Sequence, residues 1–412
     1  MLDINFVREN SEKVKKGTSD KQLDPKIVDE VLALDEKRRE LLVKVENLRA
    51  ERNKYAKSKD IAQGKKTKSK LQKLEPQLKK AEEKFQEALW QIPNLPASDV
   101  KEGKDESENE VVRTHGEPTK FDFKPKAHWE LGQDLGIIDV ERAAKVSGTR
   151  FFYLKGDGVL LELALEQLAL ETLFKEGFVP VIPPVLIKKE SMAGMGYLEH
   201  GGEEDMFVLD KDNLVLVGTS EQSIGPMHMG EILSGKDLPL RYMGISTCFR
   251  REAGSYGKDT KGSFRVHQFN KIEMFSFVRL EDGDKEHEFM LDIEEKLLQA
   301  LEIPYQVIKM CSGDLGLPAA RKYDLNGWFP SEGKYRELTS TSTTTDFQAR
   351  RLNIKYQEKG RADFVHMLNG TAFSQRPILA ILENYQQKDG SVKVPKVLQK
   401  WMGKEKITYS AS

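Results

Sequence analysis

Residues 248–277 read CFRREAGSYGKDTKGSFRVHQFNKIEMFSF. Two strand-like ends enclose a loop rich in Gly and Lys, the pattern of two paired strands with a long connection. Arg250, Arg251 and Glu252 close the first strand, while Arg265, His267, Phe269, Lys271 and Glu273 alternate along the second. Period-two spacing predicts those five side chains on one sheet face. A solvated strand can look like this, but the flanking apolar residues favour a half-buried surface that faces a ligand. Arginine's planar fork suits phosphate and carboxylate, and an aromatic such as Phe269 suits a nucleobase.

Outward from this stretch, short apolar runs at 213–217, 241–245, 264–269 and 274–278 accompany a helical pattern at 159–176. The strand candidates lie too close together for regular βαβ crossovers, so the pattern predicts an α+β domain with an antiparallel sheet. Neither GxxxxGK[ST] nor GxGxxG occurs. A nucleotide bound here would need side-chain cations for its phosphates instead of a glycine-rich loop.

Upstream the pattern changes. Val31, Leu34, Arg38, Leu41, Val45, Leu48, Arg52 and Tyr55 follow alternating steps of three and four, and Leu71, Leu74, Leu78, Ala81, Phe85, Ala88 and Ile92 repeat the stripe. Two such stripes predict an antiparallel helical hairpin, a coiled coil over about residues 25–92, with its turn in the polar stretch 61–67. Pro76 either kinks the second helix or marks its start. Residues 26–87 carry 18 Lys or Arg against 12 Asp or Glu, and between 52 and 73 nine basic residues face only Asp60. Such a run is either a solvated face or a basic tip for a nucleic-acid backbone. Pro93, Pro96 and the polar stretch 101–110 read as a linker, which divides the chain into an arm with linker (1–108) and a second domain (109–412).

The 412 residues have a net charge of −1 and are 38% hydrophobic, enough for a sizeable core and unlike a disordered tail. The N-terminal MLDINFVREN has no apolar signal core, and no run of about 18 apolar residues occurs, so a cytoplasmic address without membrane is expected. Cys248 and Cys311 form no CxxC, and the seven histidines form no HExxH, so no disulfide framework and no zinc are expected.

The chain as a whole resembles the seryl-tRNA synthetases of bacterial type, within the class II aminoacyl-tRNA synthetases. The resemblance runs from MLDINFVREN to ENYQQKDGSVKVPKVLQKWMG and takes in HWELGQDLGIIDVERAAKVSGTRF, VGTSEQ, PLRYMGISTCFRREAGSYGKDTKG, RVHQFNKIEMF, DFQARRLNIKY and LNGTA. It implies a catalytic sheet of six or seven antiparallel strands flanked by helices, a homodimer, and a helical arm for tRNA. The implied partners are ATP, serine and tRNA(Ser), with tRNA(Sec) as a further acceptor. On this resemblance the basic tip contacts phosphate and sugar.

The resemblance also implies roles for single residues. GFVPVIPP (177–184) looks like motif 1, at the dimer interface. In motif 2, Arg250 would bridge the α-phosphate and the serine carboxylate, Glu252 would bind the adenine end, Phe269 would stack on the base, and Arg265 would join the ATP contacts. In motif 3 (368–386), Arg376 would face the γ-phosphate and the other adenine face. Serine would fall to Thr219, Glu221, Glu273, Asn369 and Thr371, with Arg250 on its carboxylate. Glu337 and Ser340 would hold Mg²⁺, a hard ion that takes oxygen ligands and substrate phosphates; the alternative for Glu337 is an ion pair with Arg336 or Arg350.

Several features depart from the family pattern. The hairpin is shorter, by roughly five helical turns. Motif 3 reads NGTAFSQRP, which brings Arg376 one residue closer to Asn369 and puts Gln375 where a glycine is usual. TSTSTTTDFQARR is Thr-rich, and Asn326 replaces an acidic residue. The function implied is activation of serine with ATP and transfer to the 3′-terminal adenosine of tRNA(Ser). The rival is a paralogue that activates serine or another small amino acid for a non-tRNA acceptor.

Overall fold

The computed structural model describes residues 1–253 and 262–409. The chain forms two compact units, Met1–Leu95 and Pro96–Ser412.

In the first unit the short helices Ile4–Glu9 and Ser11–Asp20 precede α1 (Lys26–Ser58) and α2 (Ile61–Gln91). With 33 residues, α1 is about 50 Å long. The turn is not at 61–67 but at Lys59 and Asp60. Lys59 adopts the left-handed conformation (φ 56°), and Asp60 caps α2 by accepting the Gln63 N–H at 3.1 Å. Those two residues satisfy both helix ends, so 61–67 stays helical. Pro76 lies inside α2. Val31, Val45, Leu71, Leu78 and Phe85 of the stripes are buried, whereas Leu48 and Tyr55 are half-buried and Arg52 is exposed, so the seam loosens toward the turn. Arg38 sits on the seam because the fully buried Asp35 pairs with it at 2.7 Å and Phe85 lies under its guanidinium at 4.8 Å.

The second unit is built on one eight-stranded sheet. Its strands are β1 (Glu110–His115), β2 (Val179–Val181), β3 (Leu240–Phe249), β4 (Gln268–Val278), β5 (Tyr305–Lys309), β6 (Arg321–Phe329), β7 (Lys334–Thr343) and β8 (His366–Phe373). They lie in the order β1-β5-β6-β7-β8-β4-β3-β2. All neighbours are antiparallel except β2 and β3, so the sheet has more strands than the six or seven expected, and one parallel edge. Helices α3 (Asp157–Lys175) and α4 (Gly283–Ala300) supply Leu161, Leu165, Leu291 and Leu298 to a core shared with Met274, Leu325 and Leu338.

Two readings need correction. The runs 264–269 and 274–278 belong to a single strand that starts only at Gln268, so Arg265 and His267 precede β4 and do not lie on it. The Gly- and Lys-rich loop, 254–261, lies outside the described residues. The stretch 96–109 is also more than a linker. Ala97 N–H donates to Ala320 O at 2.8 Å, Asp99 meets Lys309 at 2.5 Å, and Cys311 N–H donates to the Asn109 side chain at 2.9 Å. Its acidic and polar residues find partners on the sheet, which composition cannot reveal.

Two irregularities in register shape the sheet face. Between β6 and β7, Leu325 pairs with Thr339 and Asn326 with Glu337, which leaves Leu338 as an extra residue. Between β4 and β8, Ile272 pairs with Phe373 and Glu273 with Thr371, which leaves Ala372 extra. A bulge shifts the alternation by one. Glu337 and Ser340, an odd number apart, therefore reach the same side.

Candidate active site

That side of the sheet forms a cleft of about 540 Å³. Thr219, Glu221, Arg250, Glu252, Arg265, Phe269, Glu273, Glu337, Ser340, Asn369, Thr371 and Arg376 all line it, so the structure brings the twelve residues singled out in the sequence together.

At the end of β3, Arg250 donates from Nε to Gly218 O at 3.0 Å, and its guanidinium stands 5.4 Å from the Phe269 ring centre. His267 fixes the backbone beside it: Arg250 N–H donates to His267 O at 3.0 Å, and His267 Nδ1 lies 2.9 Å from Arg250 O. Glu252 has φ +53°, a left-handed backbone that costs a non-glycine residue about 1–3 kcal/mol. Arg150 donates to its carbonyl at 3.2 Å and Arg265 to its carboxylate at 3.3 Å, which hold the turn.

Across the cleft, Arg376 opens the helix α5 (Arg376–Asn384), with Pro377 in its first turn. Its guanidinium pairs with Glu337 Oε1 at 2.9 Å and stands 5.0 Å from the Phe264 ring, which Arg336 covers at 3.6 Å. The altered NGTAFSQRP loop thus still delivers Arg376 to the cleft. The ion pair of Glu337 is thus with Arg376, while Arg336 pairs with Glu332 and Arg350 with Asp346. Burial alone would raise the pKa of Glu337, but Arg376, Lys322 and Arg250 outweigh it and hold the carboxyl at about 2. Asp324, paired with Lys322 at 3.0 Å, is pushed the other way by burial, to about 7. Glu337 and the Ser340 hydroxyl line the same cleft and offer hard oxygens of the kind that Mg²⁺ takes. Among the described residues no three His, Cys, Asp or Glu side chains gather to form a cage.

The remaining wall carries buried carboxylates, hydroxyls and an amide. Glu273 and Glu221 are almost fully buried. Lys271 pairs with Glu273 at 2.5 Å and donates to Thr219 Oγ1 at 3.1 Å, and Tyr197 OH donates to Glu221. Burial, then the Glu273 charge, pushes Glu221 up to about 7. Thr371 lies opposite Glu273 in the register, and Asn369 opposite both Phe275 and Ser342. Sequence reasoning gave no role to Lys271, Tyr197, Phe264, Lys322 or Asp324. Period two already places Lys271 on the face of Phe269 and Glu273, without a role of its own; Tyr197 sits in a loop with no periodic signal.

Residues 1–96 match the seryl-tRNA synthetase N-terminal domain, and residues 207–385 match the tRNA synthetase class II core domain (G, H, P, S and T). A serine--tRNA ligase of Dictyoglomus turgidum is 44% identical over 421 residues, covering 99% of each chain. The chain belongs to the seryl-tRNA synthetase family. Among solved structures, the seryl-tRNA synthetase of Pyrococcus horikoshii complexed with ATP superposes with a TM-score of 0.93 at 41% identity, covering all of both chains. The cytoplasmic serine-tRNA ligase of Naegleria fowleri in complex with AMP gives 0.90 at 35%, covering 100% of this chain and 99% of that one. The alignment to the Dictyoglomus synthetase leaves only about a dozen positions for everything this chain lacks relative to it. That is fewer than the roughly 18 residues that five helical turns require, so relative to that synthetase the hairpin is shortened by less than the five turns expected.

Proposed function

We propose that this protein is an ATP-dependent serine–tRNA ligase. The serine carboxylate, already ionised at neutral pH, attacks the α-phosphorus of ATP; pyrophosphate leaves, and the seryl group passes from the adenylate to the 3′-terminal adenosine of tRNA(Ser). What carries the reading is one cleft with cations at both ends and buried carboxylates at its side, in a chain similar to serine–tRNA ligases from end to end. The match of residues 1–96 to the family's N-terminal domain speaks for a tRNA acceptor and against the carrier-type paralogue.

Arg250 is suited to sit between two anions, the α-phosphate and the serine carboxylate, and to offset their repulsion during in-line attack. Phe269 and Arg376 offer the two faces between which adenine stacks, and Glu252 with Arg265 borders them. Glu337 and Ser340 would hold Mg²⁺, which supplies charge neutralisation at the phosphates. Glu273 and Glu221 are the partners for the substrate ammonium, with Thr219, Asn369 and Thr371 around the hydroxyl. A pocket that hydrogen-bonds this hydroxyl rejects alanine, because the buried polar groups it leaves unpaired cost about 1–3 kcal/mol.

The arm's exposed lysines are the surface for tRNA(Ser), and tRNA(Sec) is a second acceptor of the same kind. A homodimer is supported by apolar groups left uncovered around motif 1: Phe174 is 68% exposed and Ile182 84%, beside the edge strand β2. Sedimentation would detect the dimer. None of the described helices is long and apolar enough to cross a membrane, which is compatible with a cytoplasmic enzyme. The deciding experiment is ATP–pyrophosphate exchange with serine, threonine, alanine and glycine, followed by charging of total tRNA. Serine-only exchange with charging is expected. Exchange without charging would move the assignment to a non-tRNA acceptor, and no exchange would remove it.

A further inference from the structure

Behind the cleft floor, Glu294 of α4 presents a fully buried carboxyl group to the back of the sheet. Thr339 Oγ1 donates to its Oε2 at 2.8 Å. Its Oε1 has no hydrogen-bond partner among the described residues and faces Gly370, where a Cβ would stand 3.0 Å away. Both neighbours alternate with cleft residues. Thr339 lies at the β7 bulge between Glu337 and Ser340, and Gly370 lies between Asn369 and Thr371 on β8. Residues next to front-facing ones point backward, so a group behind the sheet can grip the backbone that carries the front.

A carboxyl group is costly in this position, since α4 turns Leu291, Leu297 and Leu298 into the same core. Burial, together with the charges of Glu273 and Asp324, pushes the Glu294 pKa well above the usual range. Burial thus favours the protonated form, which adds no third negative charge behind the ammonium site. An apolar residue would fill the space but could not hold Thr339.

We propose that Glu294 is a positioning residue for serine activation, a back-side clamp that fixes the β7 bulge against β8. It thereby sets the distance between the phosphate-and-metal half of the cleft, Glu337 and Ser340, and the amino-acid half, Asn369 and Thr371. The inference rests on the roles given to those four residues above. Each half binds its own substrate; only the reaction requires both halves in register, and a misplacement of about 1 Å can cost on the order of 100-fold in rate.

The test compares Glu294→Ala, Thr339→Val, the double variant and Glu294→Gln in pyrophosphate exchange, with calorimetric binding of serine alone, ATP alone and a sulfamoyl analogue of seryl-adenylate. Expected for Glu294→Ala and Thr339→Val is a ten- to hundredfold loss in kcat, with each single substrate bound within about twofold of wild type. The analogue, which spans both halves, should bind more weakly by a factor close to the kcat loss. The double variant should be no worse than the poorer single, as for two ends of one contact. Glu294→Gln, whose amide oxygen still accepts from Thr339, should restore kcat. Unchanged kcat in the folded variants, a loss confined to the affinity for one substrate, additive effects, or a Gln variant as impaired as Ala would each overturn the clamp. Should Glu294→Ala fail to fold, Thr339→Val, which keeps the volume, decides. Wild-type protein that does not exchange with serine would instead remove the underlying assignment.

Discussion

The arm and the cleft both depend on charge, and they use it in opposite ways. On the arm the nine basic residues between 52 and 73 are all exposed, with few fixed partners, and any of them can be exchanged for another at small cost. In the cleft the charges are largely buried and many are paired: Lys271 with Glu273, Arg376 with Glu337, Lys322 with Asp324. Exposed charges act through a shared field that salt screens, so their effects are small and nearly additive. Buried ones act singly through geometry, and removing one leaves its partner uncompensated.

The contrast predicts effects of very different size. The largest is expected for Arg250→Ala, which should lower pyrophosphate exchange by about 10³-fold, some 4 kcal/mol of transition-state stabilisation, while tRNA affinity in a filter-binding assay stays unchanged. A matched loss of tRNA binding would break the separation. Next comes the pH dependence of serine use. Glu221, raised to about 7, is neutral below that pH and ionised above it, so serine's ammonium meets its full negative charge only on the alkaline side. The KM for serine should rise as pH falls from 8 to 6, by up to about tenfold. Glu221→Gln should show a high, pH-independent KM over that range. A retained slope in that variant would assign the titration to another group.

On the arm, replacing Lys65, Lys66, Lys68 and Lys70 together by alanine should weaken tRNA binding and flatten its salt dependence, leaving pyrophosphate exchange intact. Each lost phosphate contact should reduce the log–log salt slope by about 0.7–0.9. Binding that stays equally salt-sensitive would deny the tip its role. The smallest effect is reserved for the exposed pair that crosses the hairpin, Arg49 and Glu75 at 2.9 Å. Arg49→Ala should change the unfolding free energy, measured in urea, by less than about 1 kcal/mol.

The same contrast explains what was legible in the sequence. The hairpin announced itself because one helical face repeats over about seven turns at 3.6 residues per turn, and burial follows that period at Val31, Val45, Leu71 and Leu78. Its turn was misplaced because Gly64 and the polar residues around it look like a loop, whereas the decision lay with Lys59 and Asp60 at the helix ends. In the second unit, helix 159–176 and the cationic stretch around Arg250 were legible, and the resemblance supplied the rest of the cleft. The parallel edge β2 and the full extent of β4 were not, since a three-residue strand is too short for a pattern and Asn270, Lys271 and Glu273 interrupt the apolar run of β4. Tyr197 and Lys322 enter the cleft through tertiary placement, which no local pattern encodes.

The extra residue at Leu338 carries a consequence for how this sheet can change over generations. Glu337 and Ser340 differ in parity, and a strand sorts parities to opposite faces unless one residue is skipped. The pair therefore looks, in sequence, like a helical spacing inside a strand. Deleting Leu338 would remove the bulge and leave Glu337 and Ser340 two apart on one face, whereas one residue added between them beside the bulge would send either the carboxylate or the hydroxyl behind the sheet. Substitutions along β7 are matters of degree, but such an insertion is all or nothing.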